Sequence, residues 1–265
     1  MTEAPLAPSN ARVKYLKRLL SDPKVRRSEG VWIAEGVRLV EEVISSGVNI
    51  RTAFFAEDFT GERHEALRSN IRERAAETWI LSKGAMRQVS DTQSPQGVGV
   101  VIDPPPFEEK GLLATPKPIV ILDRLRDPGN LGTIARSALA AGAGAIILTA
   151  DSVDAGNPKA LRASAGALLR LPVMRASSKE WLRRELQRPI YATTGEGGTL
   201  PEERDLAAPF ALVMGQEASG LDPAWEALVD GFITIPMEGE VESLNVATAT
   251  GVILFEAARQ RRSRG

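Results

Sequence analysis

Residues 119–150, IVILDRLRDPGNLGTIARSALAAGAGAIILTA, pass from an apolar run through a polar turn into an amphipathic stretch and out into a second apolar run. IVILD and AIILTA read as buried strands, and the stretch between them places Leu131, Ile134, Ala135, Ala138 and Leu139 on one face of a helix. Asp127-Pro128-Gly129-Asn130 makes the turn, Asn130 is a candidate cap for the helix, and Arg136 lies on the flank of its apolar face. A strand, a helix and a strand in this order predict a parallel pair, the unit of an α/β sheet.

The alternation continues toward the C-terminus. NPKALRASAGALLR opens on Asn157 with Pro158 at the first helical position, and PVMRA, PIYATT, FALVM and FITIP read as further strands. KEWLRRELQ, a short DPAWEALV and a final SLNVATATGVILFEAARQ read as helices, so the sheet is expected to be parallel with helices on both faces. Toward the N-terminus, IDPPPFEEKGLLATPKP carries five prolines between Ile102 and Pro118 and is expected to hold neither a helix nor a central strand. It marks a linker at 103–117 between a domain at 1–102 and a second at 118–265. In the first, WIAEG, IRTAFFA, TWIL and GVGVVI read as strands among helical patterns at 10–20, 36–46 and 62–76, a smaller α/β domain.

Composition removes several chemistries. The 265 residues include no cysteine and one histidine, which excludes thiolate nucleophiles and cysteine metal sites and leaves a Ser-His-Asp hydrolase no imidazole but His64. A histidine-based metal site is not expected, and no P-loop or dinucleotide fingerprint stands in the right context. No run of 18 apolar residues occurs and MTEAPLAPSN lacks the pattern of an export signal, so the expectation is a cytoplasmic protein that does not span a membrane. Net charge is −1, so any nucleic-acid role must rest on local charge. Such charge exists: Arg12, Lys14, Lys17, Arg18, Lys24, Arg26 and Arg27 crowd the N-terminal region, and RQRRSRG ends the chain. Solubilising, frayed ends and phosphate contact are both open readings of these segments. His64, within the charged stretch GERHEALRSNIRER, is expected to be simply solvated, and the four tryptophans form no visible stacking platform.

Ligands of open parallel sheets bind beyond the carboxyl ends of strands, and the loops leaving IVILD, PIYATT, FALVM and FITIP are polar and glycine-rich. Gly215 allows close backbone approach in MGQEASGL, and Glu217 is the only acid between Phe210 and Leu221. In IPMEGEVESLNVATATG, Ser243 or Asn245 opens a helix whose Ala247, Ala249 and Gly251 permit intimate packing.

Three motifs now stand in order: Asn130 and Arg136 with five residues between them, the run Gly215-Gln216-Glu217-Ala218-Ser219-Gly220-Leu221, and Ile235-Pro236-Met237 followed by Ser243-Leu244-Asn245-Val246. Together they resemble the SpoU/TrmH family of the SPOUT methyltransferase superfamily over about 118–260, and RASAGALLRLPV at 162–173 is similar to it as well. NARVKYLKRLL, WIAEGVRLVEEVI and Gln96-Gly97 resemble the family's N-terminal substrate-binding domain.

The resemblance implies a C-terminal sheet tied in a deep trefoil knot and transfer of a methyl group from S-adenosyl-L-methionine to a ribose 2′-hydroxyl of RNA. It implies a cofactor site at Gly215, Ile235 and Leu244, with Asn245 and the loop at Thr193, Thr194 and Gly195, and a catalytic set of Arg136, Asn130, Glu217, Ser243 and Asn245. The family assigns activation of the hydroxyl to the counterpart of Arg136. A guanidinium favours stabilising a developing alkoxide over acting as a base, and both roles stay open. Glu217 would orient Arg136, with Asn130, Ser243 and Asn245 fixing the loops and the hydroxyl. A homodimer is implied, in which Arg136 acts within its own protomer or across to its partner. Ribosomal RNA is favoured over transfer RNA, and a non-catalytic RNA-binding or ribosome-assembly factor of the same fold is the competing class.

Overall fold

The computed structural model describes residues 4–216, 220–239 and 243–264 and divides the chain into two compact units. The first comprises residues up to Pro105 together with Gly156–Leu169, and the second comprises Pro106–Ala155 and Arg170 onward.

In the first unit, helix α1 (Ala11–Ser21) starts where Asn10 accepts a hydrogen bond from the Arg12 amide, and it buries Val13, Leu16 and Leu19 along one face. Helix α2 (Pro23–Glu29) follows the cap Asp22 and stops at Gly30, whose φ of +62° suits a residue without Cβ. From α2, buried Arg26 donates to the carbonyls of Leu19 and Leu20 at 2.6 and 3.1 Å, satisfying the C-terminal end of α1. Neither α2 nor the later helix at Lys83–Gln88 is among the helices expected from the sequence.

Strand β1 (Trp32–Glu35), α3 (Val37–Ser46), β2 (Ile50–Ala56), α4 (Glu62–Arg74), β3 (Ala75–Leu81), α5 (Lys83–Gln88) and β4 (Val98–Ile102) complete this part. The sheet order is β1-β4-β2-β3, with β4 antiparallel to both neighbours and β2 parallel to β3. Glu35 ends β1 with 3% exposure, and the Ser90 hydroxyl lies 2.7 and 2.8 Å from its two oxygens. Burial pushes the Glu35 carboxyl above its ordinary range.

The second unit opens with α6 (Glu109–Ala114), a short helix inside the proline-rich stretch expected to hold none. The prolines bound it at 104–106 and at 116 and 118, and six proline-free residues suffice for its single turn and a half. Then come β5 (Ile119–Leu122), α7 (Pro128–Ala140) and β6 (Ala145–Leu148). After β6 the chain contributes α8 (Pro158–Ser164) to the first unit, although the domain boundaries expected from the sequence put these residues in the second. Within the first unit Arg162 makes a bidentate ion pair with Asp91 at 2.6 and 2.7 Å, and a Cβ at Gly156 would overlap the Trp32 ring. The expected longer helix is interrupted because Ala165 and Gly166 take φ of +46° and +83°, after which 167–169 form one 3₁₀ turn.

Strand β7 (Val173–Arg175), α9 (Lys179–Glu185), β8 (Ile190–Thr193), β9 (Ala211–Met214), β10 (Gly231–Ile233) and α10 (Val246–Arg264) finish the second unit. Its six strands lie in the order β10-β8-β9-β5-β6-β7, every pair parallel, as the alternation predicts. Ile119, Ile121, Ile147, Val213 and Trp225 belong to its core. The expected DPAWEALV helix is a 3₁₀ turn at Pro223–Trp225. Among the described residues no helix is long and apolar enough to cross a membrane, and no cluster of His, Cys, Asp and Glu could hold a metal ion.

Strand β4 tests how tightly the first sheet is packed. A Cβ at Gly99 would overlap the ring of Phe54, which is fully buried and has nowhere to retreat. Gly99→Ala is expected to destabilise the first unit by about 1–3 kcal/mol, seen as a lower midpoint in urea unfolding. An unchanged midpoint would show that the sheet has slack there.

Candidate active site

Parallel strands end together, and a cavity of 410 Å³ opens beyond the carboxyl ends of β8, β9 and β10. Thr193, Thr194, Gly195, Gly215, Ile235, Leu244 and Asn245, the residues expected to hold a cofactor, all line it. Ser243 lines it too. Met214, Ile233 and Val246 also line it and are absent from the expected set, although each stands next to or within a quoted strand or motif. Gln216 and Gly220 exchange two backbone hydrogen bonds, of 3.0 and 2.8 Å, which close the turn after β9. A Cβ on Gly215 would lie 2.6 Å from the carbonyl carbon and oxygen of Gly220, so this turn packs on a bare α-carbon. Thr194 is tied to β10 through its amide, which donates to the Ile233 carbonyl at 3.0 Å.

Asn245 joins two of the motifs. Its Oδ1 accepts from the amides of Ala247 and Thr248 at 2.9 and 3.4 Å, capping α10, while its Nδ2 donates to Asn130 Oδ1 at 3.2 Å. Of the two candidate caps for the last helix, the structure uses Asn245. Asn130 does not cap α7. Pro128 starts that helix, so the cap falls on Asp127, whose Oδ2 accepts from the Asn130 amide at 3.0 Å. Asn130 is thereby left in the first turn, with its side chain turned to Asn245.

Arg136 is not among the cavity's lining residues. It is exposed on α7 and, among the described residues, has no hydrogen-bond or ion-pair partner. Glu217 lies outside the described residues.

A charged cluster that the sequence did not announce supports the turn from the side of β5. Asp123, fully buried at the end of β5, receives Arg124 Nε at 3.1 Å and has Lys179 Nζ at 3.4 Å. Lys179 also pairs with Asp222 at 2.6 Å, and this hydrogen bond holds the Asp222 carboxyl below the usual carboxylate range. Arg124, at a φ of +56°, reaches the carbonyl of Gly220 at 3.4 Å. An arginine between two acid-bearing segments carries no sequence signal for this, since the left-handed backbone is what aims it.

The SpoU rRNA Methylase family matches residues 117–255, and an MRM3-like substrate binding domain matches residues 10–99. The 23S rRNA (guanosine(2553)-2′-O)-methyltransferase RlmP of Bacillus subtilis is 32% identical over 249 residues, covering 93% of this chain and 95% of that protein. A 23S rRNA (uridine(2479)-2′-O)-methyltransferase of Streptomyces viridochromogenes is 32% identical over 268 residues, covering 95% and 91%. Among solved structures, the SpoU methyltransferase AviRb of S. viridochromogenes in complex with AdoMet superposes with a TM-score of 0.85 at 31% identity, over 96% of this chain and 99% of that one. An AdoMet-bound rRNA methyltransferase of Sinorhizobium meliloti gives 0.82 at 29% identity, over 95% of each chain.

The packing of the turn on Gly215 has a direct readout. Gly215→Ala is expected to open the Gln216–Gly220 pair, so their amide hydrogens lose protection from exchange by about tenfold or more, roughly 1.4 kcal/mol of local stability. Amides of β8 and β9 should keep theirs. Undiminished protection at Gln216 and Gly220 would mean the turn can absorb a methyl group.

Proposed function

The chain belongs to the SpoU rRNA Methylase family, and from that premise we propose that it methylates a ribose 2′-hydroxyl of 23S ribosomal RNA with S-adenosyl-L-methionine. The observation that carries this reading is the convergence of Thr193–Gly195, Gly215, Ile235 and Leu244–Asn245, from the three loops that follow β8, β9 and β10, on one cavity. Its 410 Å³ lies within the range of small-molecule sites, roughly 300–1,000 Å³. Ile233, Ile235, Leu244 and Val246 offer apolar walls to an adenine, and Gly215, without a side chain, presents its backbone in the same lining. When bound, the cofactor supplies an activated methyl group on a positively charged sulfur.

The chain's own task is then to align the hydroxyl and to stabilise the charge that develops on its oxygen. We assign that stabilisation to Arg136, a permanent cation and a poor base. Asn130, Ser243 and Asn245 hold the loops and the hydroxyl in register, and Glu217 orients the guanidinium. The first unit, residues up to Pro105 with Gly156–Leu169, reads the RNA, and the second carries the chemistry on a trefoil-knotted sheet. Two signs support this division: the substrate-binding family match at 10–99 and the exposed cations Lys14, Lys17 and Arg18 on α1. The cytoplasm is the compartment of such a substrate.

Arg136 also bears on assembly. It stands outside the cavity on α7, the helix that packs with α10, and α10 exposes Val252 and Phe255 at 43% and 48%. We propose a homodimer that covers this apolar face and in which Arg136 of one protomer serves the cavity of its partner.

Incubation with labelled S-adenosylmethionine and ribosomal RNA from a strain lacking the enzyme should place label in an alkali-resistant linkage at one nucleotide. Label in base-modified nucleosides alone would overturn the assignment to ribose. Arg136→Ala should abolish transfer and leave cofactor affinity within about threefold in a calorimetric titration, since the residue acts on the hydroxyl. Loss of cofactor binding would break that division of roles.

Refolding an equal mixture of inactive Arg136→Ala and Asn245→Ala proteins tests the shared site. Random pairing makes half the dimers mixed, each with one intact site, so roughly a quarter of wild-type activity should return. Activity no higher than that of the parents, with mixed dimers seen by native mass spectrometry, would place Arg136 in its own protomer's site.

A further inference from the structure

The first unit contains a cavity of 390 Å³ that the methyl-transfer reading leaves without a role. Its wall includes Phe59 and His64, whose rings stack with centroids 4.2 Å apart and planes inclined by 12°. Phe55 continues the stack behind Phe59 at 5.8 Å. His64 Nδ1 donates to the carbonyl of Thr60 at 2.9 Å, so the imidazole is clamped both in its plane and against a ring. This is not the solvated side chain expected from its charged neighbours. Gly97, at a φ of +79°, brings its backbone onto Phe59: a Cβ there would stand 3.2 Å from the ring.

The polar groups of the cavity are distributed unevenly. Lys83 is paired with Asp58 at 3.1 Å, whereas Arg87 is exposed and, among the described residues, has no partner. Gln96 uses its Oε1 to accept from the Val37 amide at 2.7 Å, which fixes the carboxamide, and its amino group has no partner among the described residues. Gln93 has none either. A preformed stack of planar rings, two carboxamides with hydrogen-bonding capacity to spare and one uncommitted guanidinium suit a flat heteroaromatic base attached to a phosphate.

We propose that this cavity binds one unpaired nucleobase of the RNA substrate, stacked in continuation of Phe59 and His64, with Arg87 against the adjoining phosphate. This rests on the RNA methyltransferase reading and adds to it a site at which single-stranded RNA is told from duplex. A base held in a duplex cannot enter, because its faces are already occupied by its neighbours. His64, Gln93 and Gln96 are specificity-determining residues for substrate, remote from the methyl transfer itself.

The single histidine makes the test direct, because its ring-proton resonances are unique in the spectrum of the full-length protein. Titration with single-stranded RNA hexamers should move the His64 Cε1 proton upfield in a saturable way. A duplex with the same number of phosphates and inorganic polyphosphate should leave it in place. No shift with the single strands, or an equal shift with duplex or polyphosphate, would overturn the proposal and leave only a charged surface.

In the methylation assay, His64→Ala should raise KM for RNA by roughly tenfold, the scale of one lost aromatic stack, with kcat unchanged. His64→Phe should restore it, and Arg87→Ala should weaken RNA binding and flatten its dependence on salt. S-adenosylmethionine affinity should be unaltered in all three. Wild-type protein that methylates RNA, alongside a His64→Ala variant with unchanged KM, would refute the base pocket while leaving the family's chemistry intact. Wild-type protein that transfers no methyl group to RNA would instead defeat the methyltransferase reading, and the pocket's role with it.

Discussion

Because all six strands of the second sheet run in one direction, every loop leaving a carboxyl end emerges along the same edge. Parallel pairing needs a long return connection for each strand, which is why the residues meeting at the cavity come from positions as far apart as Thr193 and Asn245. An antiparallel arrangement of the same segments would scatter these loops to opposite edges. Buried on both faces, the central strands β5, β6 and β9 are uniformly apolar, so their chemistry is confined to the loops beyond their ends.

Such an edge is made of loops, and loops must be held. Two kinds of contact do so here. The Asn245 side chain shares its two ends between the cap of α10 and Asn130 on α7, so two motif segments are fixed by one carboxamide. The Asp123, Arg124, Lys179 and Asp222 cluster works from the other side, with Asp123 fully buried. A carboxylate in that position is tolerable only with cations in reach, and removing either cation would leave a costly unpaired charge. Arg124 holds a left-handed backbone, a strain on the order of 1–3 kcal/mol, and its reach to Gly220 gives that strain a structural purpose.

The strands of both sheets are legible in the sequence because they are apolar runs bounded by turn residues, whereas the cavity-lining residues are legible only through the motifs shared with the SpoU/TrmH family, which fall at strand ends. The features that escape it are local or tertiary. Helix α6 hides among prolines that flank it without entering it, and α8 is cut short by a positive φ at Ala165 that no alanine announces. Asn130 and Asp127 are both good caps, and only the position of Pro128 decides between them. The stacking of His64 on Phe59 depends on the path of the chain between β2 and α4, five residues that charge patterning does not describe.

The return of Gly156–Leu169 to the first unit bears on the order in which the molecule is made. A ribosome delivers the chain from its N-terminus, and the first 105 residues emerge well before the segment that completes their unit. At about 5–20 residues per second the wait is roughly 3 to 10 s, during which Trp32 lacks Gly156 and Asp91 lacks Arg162. Over that interval the nascent chain presents an unfinished surface at β1, and β5, α7 and β6 are synthesised before it is covered. The two units therefore cannot mature one after the other: the first is finished only when the second is already half begun.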